Sequence, residues 1–139
     1  MQYWLFKSEP STWSWDDQLA VGDAGEGWDG VRNYQASNNM KAMEMGDLGF
    51  FYHSVNEKRI VGIVEVCALY HPDDTDPTGR FGMVDVKAVA TVTRPVTLAE
   101  IKANPKLADI ALIRQSRLSV LPVSPEHWAE IMRMAETSL

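Results

Sequence analysis

The chain is poor in several things that would each assign it to a class. It has one cysteine, Cys67, among 139 residues, which excludes a disulfide framework and a cysteine-built metal site and points to a reducing, cytoplasmic setting. It has no long apolar run. The longest, Ile60 to Val64, is far too short to span a bilayer, so no membrane partner is expected. Met1-Gln2-Tyr3-Trp4 lacks the basic segment that opens a signal peptide. There is no internal repeat and no low-complexity tract. There is no excess of positive charge either: 13 Lys and Arg stand against 19 Asp and Glu, for a net charge of -6. That is a poor composition for a nonspecific coater of phosphate backbones. The 45% apolar and 23% charged residues are those of a folded globular chain. The length suits a single domain over 1–139 that hides roughly two-thirds of its unfolded surface.

What is present is an alternation of strand and helix signals. Tyr3 to Phe6 reads as a first strand, stopped before Pro10, because the residue preceding a proline avoids the helical region. Ser11 or Ser14 caps a short helical segment holding Trp13, Trp15 and Leu19. Val31 to Met45 reads as a helix, with Tyr34, Ser37, Met40 or Lys41, and Met45 about a turn apart. Leu48 to Val55 and Ile60 to Tyr70 form a hairpin across the polar turn Asn56-Glu57-Lys58-Arg59. From Val84 to Thr93 apolar and polar residues alternate with a period of two, the clearest strand signal in the chain. Thr97 caps a helix ended by Asn104-Pro105, Leu107 to Ile113 adds helical turns, and Arg117 to Val123 is extended. Ser124-Pro125-Glu126 starts a final helix with Trp128, Ile131, Met132 and Ala135 on one face. This order predicts an α+β fold around a curved antiparallel sheet or small barrel.

The metal motifs fail on context. Asp74-Thr75-Asp76-Pro77-Thr78-Gly79 fits the start of a calcium loop with Asp85 at the twelfth position. Pro77 stiffens it, Asp85 is not the usual glutamate, and strands flank it, so a solvated acidic turn is expected. The same residues match the aspartate nucleophile motif of phosphatases, but Tyr70-His71-Pro72-Asp73 is not the buried parallel strand that motif needs. His53, His71 and His127 have no metal-ligand spacing. No metal and no cofactor are expected.

The aromatic and charged residues are more informative. Trp13 and Trp15, two apart, cannot share a helix face. Trp28 sits between Gly27 and Gly30, off every periodic apolar face. That favours stacking on a planar ligand over core packing, so its truncation is expected to cost binding and little stability. Arg32 and Asn33 follow at a helix start, where free N–H groups suit anions. His53 lies within an aromatic strand, either as a hydrogen-bonded sheet residue or as a pocket group. Lys7-Ser8-Glu9 places a base, a hydroxyl and an acid at a strand end. Six acids and no basic residue occupy 9–29. Arg94, Lys102, Lys106, Arg114 and Arg117 face only Glu100 and Asp109 over 94–117, a candidate phosphate-tracking strip expected on the opposite side.

Together these segments resemble the EVE-domain family. The resemblance rests on Trp4-Leu5-Phe6-Lys7-Ser8-Glu9-Pro10, Trp28-Asp29-Gly30-Val31-Arg32-Asn33-Tyr34-Gln35-Ala36, Gly46-Asp47 with Tyr52-His53-Ser54, Ile60-Val61-Gly62-Ile63, and Arg117-Leu118-Ser119-Val120. These lie in order, with similar gaps, over nearly the whole chain, as in the short stand-alone bacterial members. The resemblance implies a PUA-like fold, a curved antiparallel β pseudo-barrel surrounded by short helices. It also implies a pocket for a modified base of DNA or RNA, or a nucleotide, flipped in as in YTH and SRA readers, and a monomeric, non-enzymatic protein. Methylated or otherwise substituted cytosine is the expected base type. Carried over residue by residue, the pocket candidates are Lys7, Ser8, Glu9, Trp28, Val31, Arg32, Asn33, Tyr52, His53, Ser54, Arg117, Leu118 and Ser119. Backbone contacts fall to Arg94, Lys102, Lys106 and Arg114. Ser37 stands where the family often has arginine, which is expected to weaken a phosphate contact. Phe81 stands where it often has tryptophan, which is expected to alter a pocket wall. The alternative is a small amidohydrolase of the ASCH type, with Lys7, Ser8 and Glu9 as its only available trio. Strand alternation would send Ser8 away from the other two.

Overall fold

A computed structural model describes residues 1–139. The strands are β1 (Tyr3–Ser8), β2 (Glu26–Gly27), β3 (Leu48–His53), β4 (Arg59–Pro72), β5 (Gly82–Thr97) and β6 (Val120–Val123). They form one sheet in the order β2-β5-β4-β3-β1-β6. The end strands β2 and β6 do not pair with each other, so the pseudo-barrel is not closed. The sheet is also mixed where an antiparallel one was expected. β1 runs parallel to β3, with Lys7 opposite Tyr52 and Ser8 opposite His53. Parallel neighbours need a long crossover. Here it contains α1 (Trp15–Ala20), β2 and α2 (Tyr34–Lys41).

The long β4–β5 hairpin supplies the curvature. Its register shifts at four places between Ile60 and His71, and each irregularity bends and twists the ribbon. Alternation along β5 buries Val84, Val86 and Val92, as the period of two requires. Of the remaining helices, α3 (Leu98–Ala103) and α4 (Ala111–Arg114) lie between β5 and β6, and α5 (Pro125–Met134) follows β6. Ser124 caps α5 by accepting the His127 N–H, with Pro125 at the first position. Trp128 of α5 then stacks on Phe50 at 4.0 Å and on Tyr3 at 4.4 Å between ring centroids.

Two helices are shorter than their sequence pattern. Ser14 caps α1 with a reciprocal box to Asp17, so Trp13 precedes the helix and Trp15 opens it. Asn33 caps α2 by accepting the Ala36 N–H at 3.0 Å. The helix expected over Val31–Met45 is therefore only Tyr34–Lys41. Its buried face is Ala36, Ser37 and Met40. Tyr34 and Met45, which had suggested the longer helix, are both exposed.

The core cluster joins Leu5, Phe6, Phe50, Phe51, Ile63 and Val64 of the central strands to Trp15, Trp28 and Trp128. Trp15 donates its indole N–H to Thr91 Oγ1 at 2.9 Å and meets Phe51 edge-on. It fits because position 62 has no side chain. A Cβ on Gly62 would lie 2.4 Å from the Trp15 ring, which a real contact does not tolerate. Gly62→Ala is expected to displace Trp15 and to lower stability by about 1–3 kcal/mol, as overpacked cores do. Denaturant unfolding measures it.

Candidate functional site

Pro10 ends β1, and the chain turns at once: the Thr12 and Trp13 N–H groups both donate to the Glu9 carbonyl at 2.9 Å. That turn folds Trp13 back toward the strand end. On the other side β2 pairs with β5, Glu26 opposite Val86 and Gly27 opposite Asp85. The Trp28 N–H then donates to the Val84 carbonyl at 2.8 Å. Between the two turns lies a cavity of about 460 Å³, lined by Lys7, Ser8, Glu9, Thr12, Trp13, Glu26, Gly27, Trp28 and Asp29. This is the size of small-ligand sites.

Its walls are held in place by specific contacts. Trp28 is 7% exposed and lies edge-on to Phe6 and Phe51, at 5.2 and 5.5 Å between ring centroids. The half-buried Trp13 donates its indole N–H to Gln18 Oε1 at 2.9 Å. Gln18, fully buried, donates in turn to the Val86 carbonyl. The Ser8 hydroxyl donates to the Trp13 carbonyl. Lys7 Nζ donates to the Ser116 carbonyl at 2.7 Å, and burial lowers its pKa. Glu9, Glu26 and Asp29 bring three carboxylates against the one ammonium of Lys7. Such a cavity offers indole rings for a planar group and acceptors for amino hydrogens.

Of the carried-over residues, Lys7, Ser8, Glu9 and Trp28 meet here. β1 runs through Ser8, so alternation still turns the Ser8 side chain away from that of Lys7, and only Glu9 lies beyond the strand. A second cleft of about 390 Å³ gathers Asn33, Arg117 and Leu118 with Gln35, Arg114, Gln115 and Ser116. Lys7 ties the two together, through Ser116 and through its own N–H, which donates to the Ser119 carbonyl. The others have structural tasks. Val31 is core. Tyr52 is buried beside Lys7 on β3, and burial pushes its phenol up to about 12. His53 Nε2 accepts the Trp15 N–H at 3.0 Å while Nδ1 faces Glu57 at 2.9 Å. Both ring nitrogens are thus engaged, with the Nδ1–H tautomer required. The Ser54 N–H donates to the Ser8 carbonyl. Arg32 is paired with Asp73 at 3.2 Å and donates to Thr75 Oγ1 at 2.9 Å. In the basic strip Arg94 is paired with Glu100 and Arg114 with Asp109.

Thr12, Trp13, Glu26, Gly27 and Asp29 also line the cavity and were not among the candidates. The phase conflict between Trp13 and Trp15 was the available signal, because one of the two had to leave the core. The cluster of acids over 9–29 was another, but it read as surface charge.

Trp28 requires a correction. It is not a loop aromatic off the core: β2 docks its segment onto β5 and seats the ring against Phe6 and Phe51. Trp28→Ala is therefore expected to lower stability by about 3 kcal/mol, as truncations of buried large aromatics do, besides removing a cavity wall. Thermal and denaturant melts check it.

The acidic turn is exposed at Asp74, Thr75, Pro77, Thr78 and Gly79, as expected, but the carboxylates of Asp73 and Asp76 are internally bonded rather than solvated. Asp73 and Asp76 are both buried. The Thr78 hydroxyl holds the Asp76 carboxyl down to about 2, with the N–H groups of Thr78, Phe81 and Arg80 helping and desolvation opposing. The folded value lies below the ordinary 3.8. The stabilisation is thus complete above that ordinary value and is lost as pH falls through about 2. Asp76→Asn is expected to lower the neutral-pH melting temperature and to flatten the acid limb of stability against pH.

No helix is long and apolar enough to cross a membrane. The EVE domain family profile matches residues 2–134. Thymocyte nuclear protein 1 of Mus musculus is 34% identical over 97% of this chain and 74% of its own length. A crystal structure of a protein from Agrobacterium tumefaciens superposes with a TM-score of 0.94 and 54% identity, covering 97% of this chain and 93% of that one. Human THYN1, in complex with 5-methylcytosine-containing DNA, superposes at 0.92 with 31% identity over the full length of both. The chain belongs to the EVE domain family.

Proposed function

We propose that the protein is a binding module for a modified base of nucleic acid, and that the base is flipped out of its strand into the Trp13–Trp28 cavity. The observation that carries this is the pairing of two indole walls with three carboxylates at one strand end. A flipped base presents a π face and a polar edge. Stacking on an aromatic contributes about 1–3 kcal/mol per base. A carboxylate accepts from an exocyclic amino group such as cytosine N4, which favours a cytosine-type base. The binding of human THYN1 to DNA containing 5-methylcytosine supports the same class of ligand. The second cleft, with Arg117 beside Asn33 and Gln35, is placed to receive the adjoining phosphate.

The hydrolase reading has one favourable observation, since Lys7, Ser8 and Glu9 do line one cavity. Their bonding opposes it. The Ser8 hydroxyl proton goes to the Trp13 carbonyl and the lysine ammonium to the Ser116 carbonyl, so no base stands ready to activate the hydroxyl. Turnover of an N-acylated cytidine that vanishes in Lys7→Ala would establish the enzyme instead.

The reading is tested by titrating oligonucleotides that carry 5-methylcytosine or cytosine at one position. Wild-type protein is expected to prefer the methylated strand by a factor of about ten, since one methyl in an apolar pocket contributes only about 1–3 kcal/mol. Trp13→Ala, at a half-buried position, is expected to weaken binding by about 1–3 kcal/mol while remaining folded. Equal affinity for both strands across other cytosine modifications would refute base recognition.

A further inference from the structure

A second surface in this acidic chain combines aromatic rings with free positive charge. At the start of α2, Tyr34 is 60% exposed. Its ring packs on Phe81 with centroids 4.9 Å apart. The Arg32 guanidinium lies over the same Phe81 ring at 5.9 Å. Seven residues along α2, Lys41 Nζ lies over the Tyr70 ring at 5.4 Å. Residues 34, 37 and 41 share one stripe of a helix. Ser37 joins that stripe to the hairpin through a 2.7 Å hydrogen bond between its hydroxyl and Tyr70 Oη. Tyr70 Oη in turn accepts the Gly82 N–H. The strip from Tyr34 to Lys41 is about 10 Å long.

Its charge is available. Lys41 and Arg80 take part in no ion pair, unlike Arg94 and Arg114. Arg32 is held by Asp73 on one side yet remains 39% exposed. The buried Asp76 carboxylate accepts the Arg80 and Phe81 N–H groups, which fixes the backbone beneath Phe81 and Arg80. The strip also adjoins the cavity. Asp29 lines the cavity, and Arg32 is three residues on, within about 11 Å of chain.

We propose that Arg32, Tyr34, Lys41, Tyr70, Arg80 and Phe81 form a stacking platform for single-stranded nucleic acid flanking the recognised base. The exposed Tyr34 ring, backed by the half-buried Phe81 and flanked by the unpaired Lys41 and Arg80, is the chemistry that tracks a single strand: a ring stacks on any base, and cations follow the phosphates. The platform goes beyond the proposed base pocket; its place beside a recognised base rests on that reading, while its binding of a single strand does not.

The test compares three ligands: oligodeoxycytidine, the same strand with one 5-methylcytosine, and 5-methyl-dCMP. Tyr34→Ala removes an exposed ring and is expected to weaken both strands by about ten-fold while leaving 5-methyl-dCMP unchanged. Lys41→Gln with Arg80→Gln is expected to reduce the slope of log affinity against log salt by roughly 0.7 per charge. Unchanged strand affinity and slope in these variants would overturn the platform and assign the patch to a protein partner. So would a wild-type protein that binds no unmodified single strand at low salt. Equal wild-type affinity for both strands, with the variants still weaker, would leave the platform standing and remove only the modified-base reading.

Discussion

The site side of this molecule depends on one buried carboxylate. The Asp73 side chain has no exposed surface, an arrangement that is strongly unfavourable for an ion unless every acceptor site is used. Here they are used. Asp73 Oδ1 accepts the Thr75 N–H and hydroxyl, and Oδ2 accepts the Gly30 N–H and Arg32. Burial alone would raise its pKa; the hydrogen bonds from Thr75, Gly30 and Arg32 outweigh burial and hold it below the ordinary carboxylate range. Gly30, at φ +78, adopts the left-handed turn that brings its N–H to the carboxylate. The loop carrying Trp28 and Asp29 is thereby tied to the loop leading into β5. Asp73 thus fixes the cavity wall to that loop, while Asp76, three residues on, fixes the footing of Phe81.

That tie resolves an apparent conflict in the charge distribution. A chain of net charge -6 is a poor partner for phosphate unless its charges are sorted. The sorting here is local. Acids gather at the cavity, where the proposed base would present its amino edge to a negative acceptor. Other acids, at Glu100 and Asp109, pair with arginines that would otherwise attract phosphate nonspecifically. Among the cations in no ion pair, Lys41 lies over the Tyr70 ring and Arg80 precedes Phe81 in the chain. Net charge therefore says little about partners here, and the placement of unpaired charge says more.

Much of this was legible in the sequence. The period of two in β5, the caps at Ser124 and Thr97, and the ordered family motifs gave the fold class and the strand-end location of Lys7, Ser8 and Glu9. What was not legible depended on contacts between distant segments. The parallel pairing of β1 with β3 has no local signature, since a strand's own residues do not record the direction of its neighbour. Trp28 looked like a ligand-facing loop residue because its core partners, Phe6 and Phe51, lie more than twenty residues away on either side. Arg32 looked like an anion reader because Asp73, its partner, sits in a turn that resembled a solvated one. His53 left both readings open, and its two hydrogen bonds place it as the support for the start of α1.

The departures at Ser37 and Phe81 acquire a physical meaning from the same geometry. Neither position lines the cavity. Ser37 is 2% exposed and bonded to Tyr70, and Phe81 is the ring shared by Tyr34 and Arg32. Both positions lie outside the proposed base pocket. Losing an arginine at 37 removes a cation, while Lys41 and Arg80 supply free ones nearby. A smaller ring at 81 still provides a face for the guanidinium. Both departures thus meet on the proposed platform, Ser37 through Tyr70 and Phe81 through Tyr34 and Arg32, outside the cavity proposed to choose the base.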